Sequence, residues 1–451
     1  MVKVSRILHA GYVFECEGTR LAFDTIFENP FSRNCHAFPA VEFDQEQIRE
    51  LKFSAVFISH YHDDHCSLDS LNLLDRTTPI YMYCVFDEIF DWIRQLGFTN
   101  VNSLALNTPV RIGEFEVIPR RALDADVDSL FQIKAKGLNI LNVVDSWIDY
   151  DTLDLLRDQA PWDLVMWPFQ TMREIEVIAP RNAVPSDGLI PEEWAEQIKA
   201  LNPRFVIPSS CQFSMESWSW YNHAFFPVSY AGFQTQIKAL LPQAQVVRLN
   251  PSCSIVLDHG GVQSSESLPW ITPVGPQDVD YDYQPNLVPP KTSEMAKHFP
   301  ALTPEQTRSV LEYCQRGLLE KYRSMAAPED VYFEKPRLWR LSVFDHEGQG
   351  QEFFYQVHGS EIERLTEARG NIAWATEVAL YKLHAALQAG ETLTSMYMRI
   401  NDFDFVAELS SAVAEVDVVE DPLIRCLFNG VFGAYQLAQL RRLTGCQRAA
   451  F

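Results

Sequence analysis

An apolar run, Phe53-Ser54-Ala55-Val56-Phe57-Ile58-Ser59, passes without a spacer into His60-Tyr61-His62-Asp63-Asp64-His65. That junction constrains the fold more than any other stretch, because the run reads as a buried strand and the cluster as its polar end. Imidazole and carboxylate donors packed so closely suit zinc, iron or manganese better than calcium or magnesium. In extended backbone alternate side chains share a face, so His60 and His62 reach one ion together while Asp64 and His65 point to a second. Two divalent ions are therefore expected. The competing reading, in which Asp63 or Asp64 merely favours the start of a helix at 67–71, leaves three clustered histidines, of eleven in the chain, without a reason.

Around the junction, residues 1–261 alternate short apolar runs with helical patterns, as a layered α/β domain does. Strands are expected at Tyr12-Val13-Phe14-Glu15, Arg20-Leu21-Ala22-Phe23, Leu130-Phe131-Gln132-Ile133, 138–144, Asp163-Leu164-Val165-Met166 and Phe205-Val206-Ile207. Two of these end in further donors. Asp145 follows the run 138–144, at a strand's carboxyl end where open α/β sheets place their sites, and its carboxylate can bridge two cations. His223 follows the strand at 205–207 within an aromatic stretch. It is the only histidine between 66 and 258 and so the natural closing ligand, although a histidine among aromatics also reads as a core residue.

An H-x-H-x-D-H cluster after a strand, a later strand ending in Asp and a histidine after another strand resemble the metallo-β-lactamase fold superfamily. The opening agrees: Ile7-Leu8-His9-Ala10-Gly11-Tyr12-Val13-Phe14-Glu15 followed by Leu21-Ala22-Phe23-Asp24-Thr25 is similar to the superfamily's first hairpin and its structural aspartate. The lactonase and phospholipase branch is the most similar. The resemblance covers residues 1–260 and implies an αββα sandwich with a dinuclear centre held by His60, His62, Asp64, His65, Asp145 and His223. It also implies a histidine before the strand at 130–133, where this chain has Asp124, Asp126 and Asp128 instead. If Asp126 or Asp124 takes that slot, the added carboxylate shifts preference from zinc towards iron or manganese, as in the superfamily's di-iron members. His9, His36 and the aromatics near Trp218 are expected to line the pocket.

The resemblance makes a hydrolase of a small ester, lactone or phosphodiester the leading expectation, working through a metal-bound hydroxide with Asp64 orienting the nucleophile and passing a proton. The alternative is a di-iron oxygenase that oxidises a small molecule with dioxygen and draws on a separate electron donor.

Residues 262–292 hold six prolines and read as a linker or wrapping arm, and 293–451 as a smaller α+β domain. There the helical stretch 373–388 and Gly390-Glu391-Thr392-Leu393-Thr394-Ser395-Met396-Tyr397 resemble sterol-carrier-protein-like domains, which implies apolar ligand binding or a homodimer, with a lid as the plain alternative. A net charge of −23 argues against a nucleic-acid or anionic-membrane surface. Nine scattered cysteines without C-x-x-C pairs, and no apolar run of membrane length, fit a soluble chain in a reducing cytoplasm.

Overall fold

The computed structural model describes residues 1–445, which fall into two units. Of these, the first comprises Met1–Met172, Ser186–Gln284 and 436–445; the second comprises Arg173–Pro185 and Pro285–Tyr435.

Two sheets form the centre of the first unit. One runs in the order Gly261–Ser265, Ser254–Asp258, Val2–Arg6, Tyr12–Cys16, Thr19–Phe23, Ala55–Ile58, Ile80–Met82 and Val101–Ser103. The other runs Gln245–Val246, Phe205–Pro208, Leu164–Trp167, Leu138–Asn142, Ser129–Ala135, Phe115–Arg121 and Val110–Ile112. Side-chain alternation assigns the faces. Leu138, Ile140, Leu164, Met166, Phe205 and Ile207 share one core with Phe14, Phe23 and Phe57 of the first sheet, whereas Leu141, Val165, Trp167 and Val206 join a second core. Helices Tyr150–Asp158, Glu192–Leu201 and Tyr230–Leu240 supply that second core with Leu156, Trp194, Ile198, Phe233 and Ile237. On the first sheet's side, Gln45–Glu50 and Asp87–Gln95 bury Ile48 and Ile89, Phe90 and Ile93. The layering is αββα.

Several elements depart from the sequence reading. Of the two alternatives for 262–292, linker or wrapping arm, residues 262–284 pack as an arm of the first unit. Ile271–Pro273 pairs with Val41–Phe43, and Asp280 accepts hydrogen bonds from the Tyr230 and Ala231 amides at a helix start. In the second unit the stretch expected as one helix at 373–388 begins as the strand Trp374–Ala379, parallel to Arg337–Phe344, and turns helical only at Leu380–Ala389. Its apolar residues satisfy both periods, and burial inside a sheet decides for the strand. The terminal helix expected near 422–443 is two helices, Pro422–Phe428 and Ala434–Thr444, separated where Gly430 and Gly433 take φ of 68° and 56°. From Gln436 the second of these belongs to the first unit, so the accessory domain does not run unbroken to the chain's end.

The second unit's sheet runs Glu361–Leu365, Gly350–His358, Arg337–Phe344, Trp374–Ala379 and Arg399–Ile400. Asp421, fully buried, accepts from the Trp374 indole at 2.7 Å and from the Leu423 and Ile424 amides, capping the helix that Pro422 opens. Among the described residues no helix is long and apolar enough to cross a membrane.

Phe57 is the hinge of the central core. Its ring stacks on Phe23 and Tyr81 at 5.1 and 5.0 Å and meets Phe131 edge-on, with no solvent exposure. Phe57→Ala is expected to cost about 3–5 kcal/mol of unfolding free energy, read from the urea midpoint.

Candidate metal centre

The strand Ala55–Ile58 is fully buried and ends at Ser59, whose amide and hydroxyl both donate to Asp24, at 2.7 and 2.8 Å. Asp24 sits at the end of the neighbouring strand Thr19–Phe23. Its Oδ2 also accepts from His65 Nδ1 at 3.1 Å. Because the Ser59 hydroxyl gives its single proton to Asp24, it must accept from His60 Nδ1, 2.9 Å away. Both imidazoles are thereby held with Nε2 facing inward, the orientation a metal-ligating histidine needs.

What those nitrogens face is a carboxylate pair. Asp145 Oδ2 lies 2.9 Å from His65 Nε2, and its Oδ1 lies 3.8 Å from His60 Nε2. Asp64 Oδ2 lies 3.6 Å from His65 Nε2 and 3.0 Å from His9 Nε2. His9, Asp64, His65 and Asp145 offer one donor atom each within 4.8 Å of one another. Such a donor set can hold a divalent cation. Orphaned atoms point the same way: Asp145 Oδ1, Asp128 Oδ1 and His9 Nδ1 are buried without a hydrogen-bond partner.

Four residues around the cluster adopt left-handed backbone without being glycine: His9 (φ 47°), Asp24 (43°), Val144 (63°) and Cys211 (60°). For a β-branched residue such as Val144 this is strained, and it sits directly before Asp145. Gly11 solves a related problem. A Cβ there would lie 2.6 Å from the Asp24 carbonyl oxygen, so only glycine lets the first hairpin close against the Asp24 strand end and deliver His9.

The sequence-expected residues therefore divide. His60, Asp64, His65 and Asp145 converge, and His62 packs edge-on to His60 with ring centroids 4.5 Å apart. Asp126 and Asp124 are exposed, the Asp126 amide donating to Asp124 and its carbonyl accepting from Val85. The acid of that loop that turns inward is Asp128, whose Oδ2 accepts from Ser146, the neighbour of Asp145. The loop's hydrogen bonds decide this: the Asp128 amide closes a turn onto the Asp124 carbonyl and the Ser129 amide ties to Ser59, and no sequence pattern shows it. His223 is not brought to the cluster. It stands partly exposed on a short helix, with Nδ1 held by the Asp282 carbonyl at 3.0 Å and the Asp282 carboxylate at 3.4 Å. The segment 262–284 thus occupies the histidine that the sequence offered as a closing ligand. His9 takes a place in the cluster instead, and the signal available for it was the turn Leu8-His9-Ala10-Gly11 between two short strands.

The charges interlock. Burial lowers the His60 pKa to about 4, with protonated His65 adding to the effect. Burial would lower His65 too, but Asp145 and Asp64 beside it raise it well above the ordinary imidazole value. Burial would raise Asp64 and Asp145, and His65 holds both well below the usual carboxylate range. Without an ion, the proton on His65 compensates the carboxylates.

No protein-family model matches the chain, and no curated protein sequence matches it. Among solved structures it is similar to Igni18, a metallo hydrolase from Ignicoccus hospitalis, at 17% identity over 57% of this chain and 98% of that one, with a TM-score of 0.41. It is also similar to the metallo-β-lactamase fold protein YhfI from Bacillus subtilis, at 13% identity over 56% and 99% with a TM-score of 0.37. A third is CmlA, a diiron β-hydroxylase from Streptomyces venezuelae, at 13% identity over 59% and 54% with a TM-score of 0.39.

An ion entering this site must displace the His65 proton, so affinity should rise with pH. Zinc bound in competition with a chelator is expected to tighten by about tenfold or more from pH 6 to 8. In the metal-free chain the sign for stability reverses: the raised His65 contributes fully below 6.5 and its contribution is lost as pH climbs through its elevated value. Asp24→Asn, which keeps shape but disturbs the anchor of both imidazoles, should weaken zinc binding about 10–100-fold. The first unit is an αββα sandwich, two sheets face to face with helices outside, which is the layering that the sequence resemblance implies.

Proposed function

We propose that the chain is a metal-dependent hydrolase of a small ester, lactone or phosphodiester, with its ions held by His9, His60, His62, Asp64, His65, Asp145 and Asp128. The observation that carries this reading is the pairing of partly exposed Asp64 and Asp145, 19% and 16% accessible, with fully buried His9 and His65. The imidazoles are fixed from behind, and the two carboxylates keep partial access to solvent.

Divalent ions bound there would supply Lewis acidity and a water acidified towards neutrality. The chain's own residues do the rest. Asp24 and Ser59 keep Nε2 of His65 and His60 turned inward. Asp64, adjacent to His9 and His65, is placed to accept a proton from an attacking water and return it to a leaving oxygen. Asp128 replaces the histidine that the fold's pattern calls for, which enriches the site in oxygen donors.

That substitution favours a second reading, a di-iron oxygenase acting on a small molecule with electrons from a separate donor. Under either reading the second unit serves as a holder of an apolar ligand or a homodimer surface, as its resemblance to sterol-carrier-protein-like domains implies, with a lid as the plain alternative.

The test is elemental analysis by plasma mass spectrometry on protein purified without added metal or chelator, followed by ester, lactone and phosphodiester panels. Bound zinc or manganese with turnover supports the hydrolase, and Asp64→Asn should then lower kcat by about 10²–10⁴-fold. Bound iron with ferric visible absorption, no hydrolysis and reductant-dependent dioxygen uptake supports the oxygenase. Asp128→Ala should reduce metal content while Asp126→Ala leaves it unchanged; equal losses in both would sink the choice of Asp128.

A further inference from the structure

The turn that carries the histidine cluster has two carbonyls bonded by a side chain from outside it. The His65 and Cys66 amides both donate to the His62 carbonyl, at 3.0 and 2.8 Å, and tighten the turn. The Tyr61 and Cys66 carbonyls on either side of it are then left to be satisfied elsewhere. A single side chain takes both: Gln436 Nε2 donates to Tyr61 O at 2.6 Å and to Cys66 O at 2.8 Å. The two protons of one planar amide thus fix the distance across the turn.

One helical turn on, Gln439 repeats the pattern. Its Oε1 accepts from the Leu68 amide at 2.8 Å, and its Nε2 donates to Ser67 Oγ and Asp69 Oδ2, each at 3.0 Å. The Leu68 amide is an otherwise unpaired donor at the start of Leu68–Leu71. Arg442, three residues further, pairs with Asp69. Gln436 and Gln439 are 1% and 3% exposed. Buried amides destabilise a helix packing face unless they are bonded, and an apolar residue would dock this helix with less penalty. Yet the donors of Gln436 are spent on the turn that carries the histidines, and those of Gln439 on the helix start that directly follows it.

We propose that Gln436 and Gln439, on the helix Ala434–Thr444, are positioning residues for the metal-binding turn 60–66, Gln436 directly and Gln439 through the helix start at 67–69 that follows it, so that ion affinity depends on a helix 375 residues away in sequence. The inference rests on the metal reading above. It makes the C-terminal segment part of the metal centre's framework.

The experiment uses the full-length chain stripped of metal and titrated with Co²⁺, with the dissociation constant read by chelator competition and the ligand geometry by the visible d–d band. Gln436→Met keeps the volume and removes both donors. The expected result is a rise in the Co²⁺ dissociation constant of about tenfold or more, in the range seen when groups behind metal ligands are removed, with an altered band and a metal-free chain that still unfolds cooperatively. A smaller rise with the wild-type band overturns the proposal. So does a loss of affinity that only follows loss of the fold in both Gln436→Met and Gln439→Met, since that is docking alone. If Gln436→Met does not fold, Gln439→Met decides by the same criteria. A wild-type chain that takes up no Co²⁺ overturns the metal reading itself and this proposal with it, whereas failure of the brace alone leaves wild-type uptake intact.

Discussion

Asp24 is a carboxylate with no solvent access, and a buried anion is tolerated only when its oxygens are fully bonded. It accepts from the Ser59 amide, the Ser59 hydroxyl and His65 Nδ1. These three bonds tie the end of the strand Thr19–Phe23 to the end of Ala55–Ile58 and set the ring orientations of His60 and His65. The convergence of the two Nε2 atoms on Asp145 follows from that anchor, because ring nitrogens that could rotate would not converge.

Strain around the anchor has the same origin. Bringing His9, Asp24, Asp145 and the loop at Cys211 to one point requires sharp exits from four strands. His9, Asp24, Val144 and Cys211 pass through left-handed backbone to make them. Such residues cost of order 1–3 kcal/mol each, and they are held by bonds at their own positions. Arg6, fully buried, donates to the carbonyls of His9, Pro208, Ser209 and Leu249, and Ser210 Oγ donates to the Val144 carbonyl. The two sheets can tolerate this because their shared core, built on Phe14, Phe23, Phe57 and Phe131, keeps the strands from relaxing.

Local pattern was legible where one period dominated. The run 53–59 is apolar at nearly every position and became a strand buried throughout, and Asp145 emerged from the end of another at 138–142. It failed where one stretch suits two structures, as at 373–388. It failed again where an acid or histidine is chosen by a loop: Asp124, Asp126 and Asp128 are alike in sequence, and only the turn from Asp124 to Asp128 points the last inward. His223 was plausible by elimination, but Asp282, contributed by a stretch that reads as linker, holds it elsewhere.

The sequence by itself determined the sandwich, the strand that delivers the histidines, and the chemistry of the donor set, because burial periodicity and the clustering of imidazoles are properties of neighbouring residues. Tertiary structure decided which distant side chains come to the cluster and to the turn that carries it. His9 comes from the first hairpin, Asp128 from a loop, and Gln436 reaches the motif from the far end of the chain. Each is selected by backbone hydrogen bonds between segments that have no sequence relation, and such bonds leave no periodic trace.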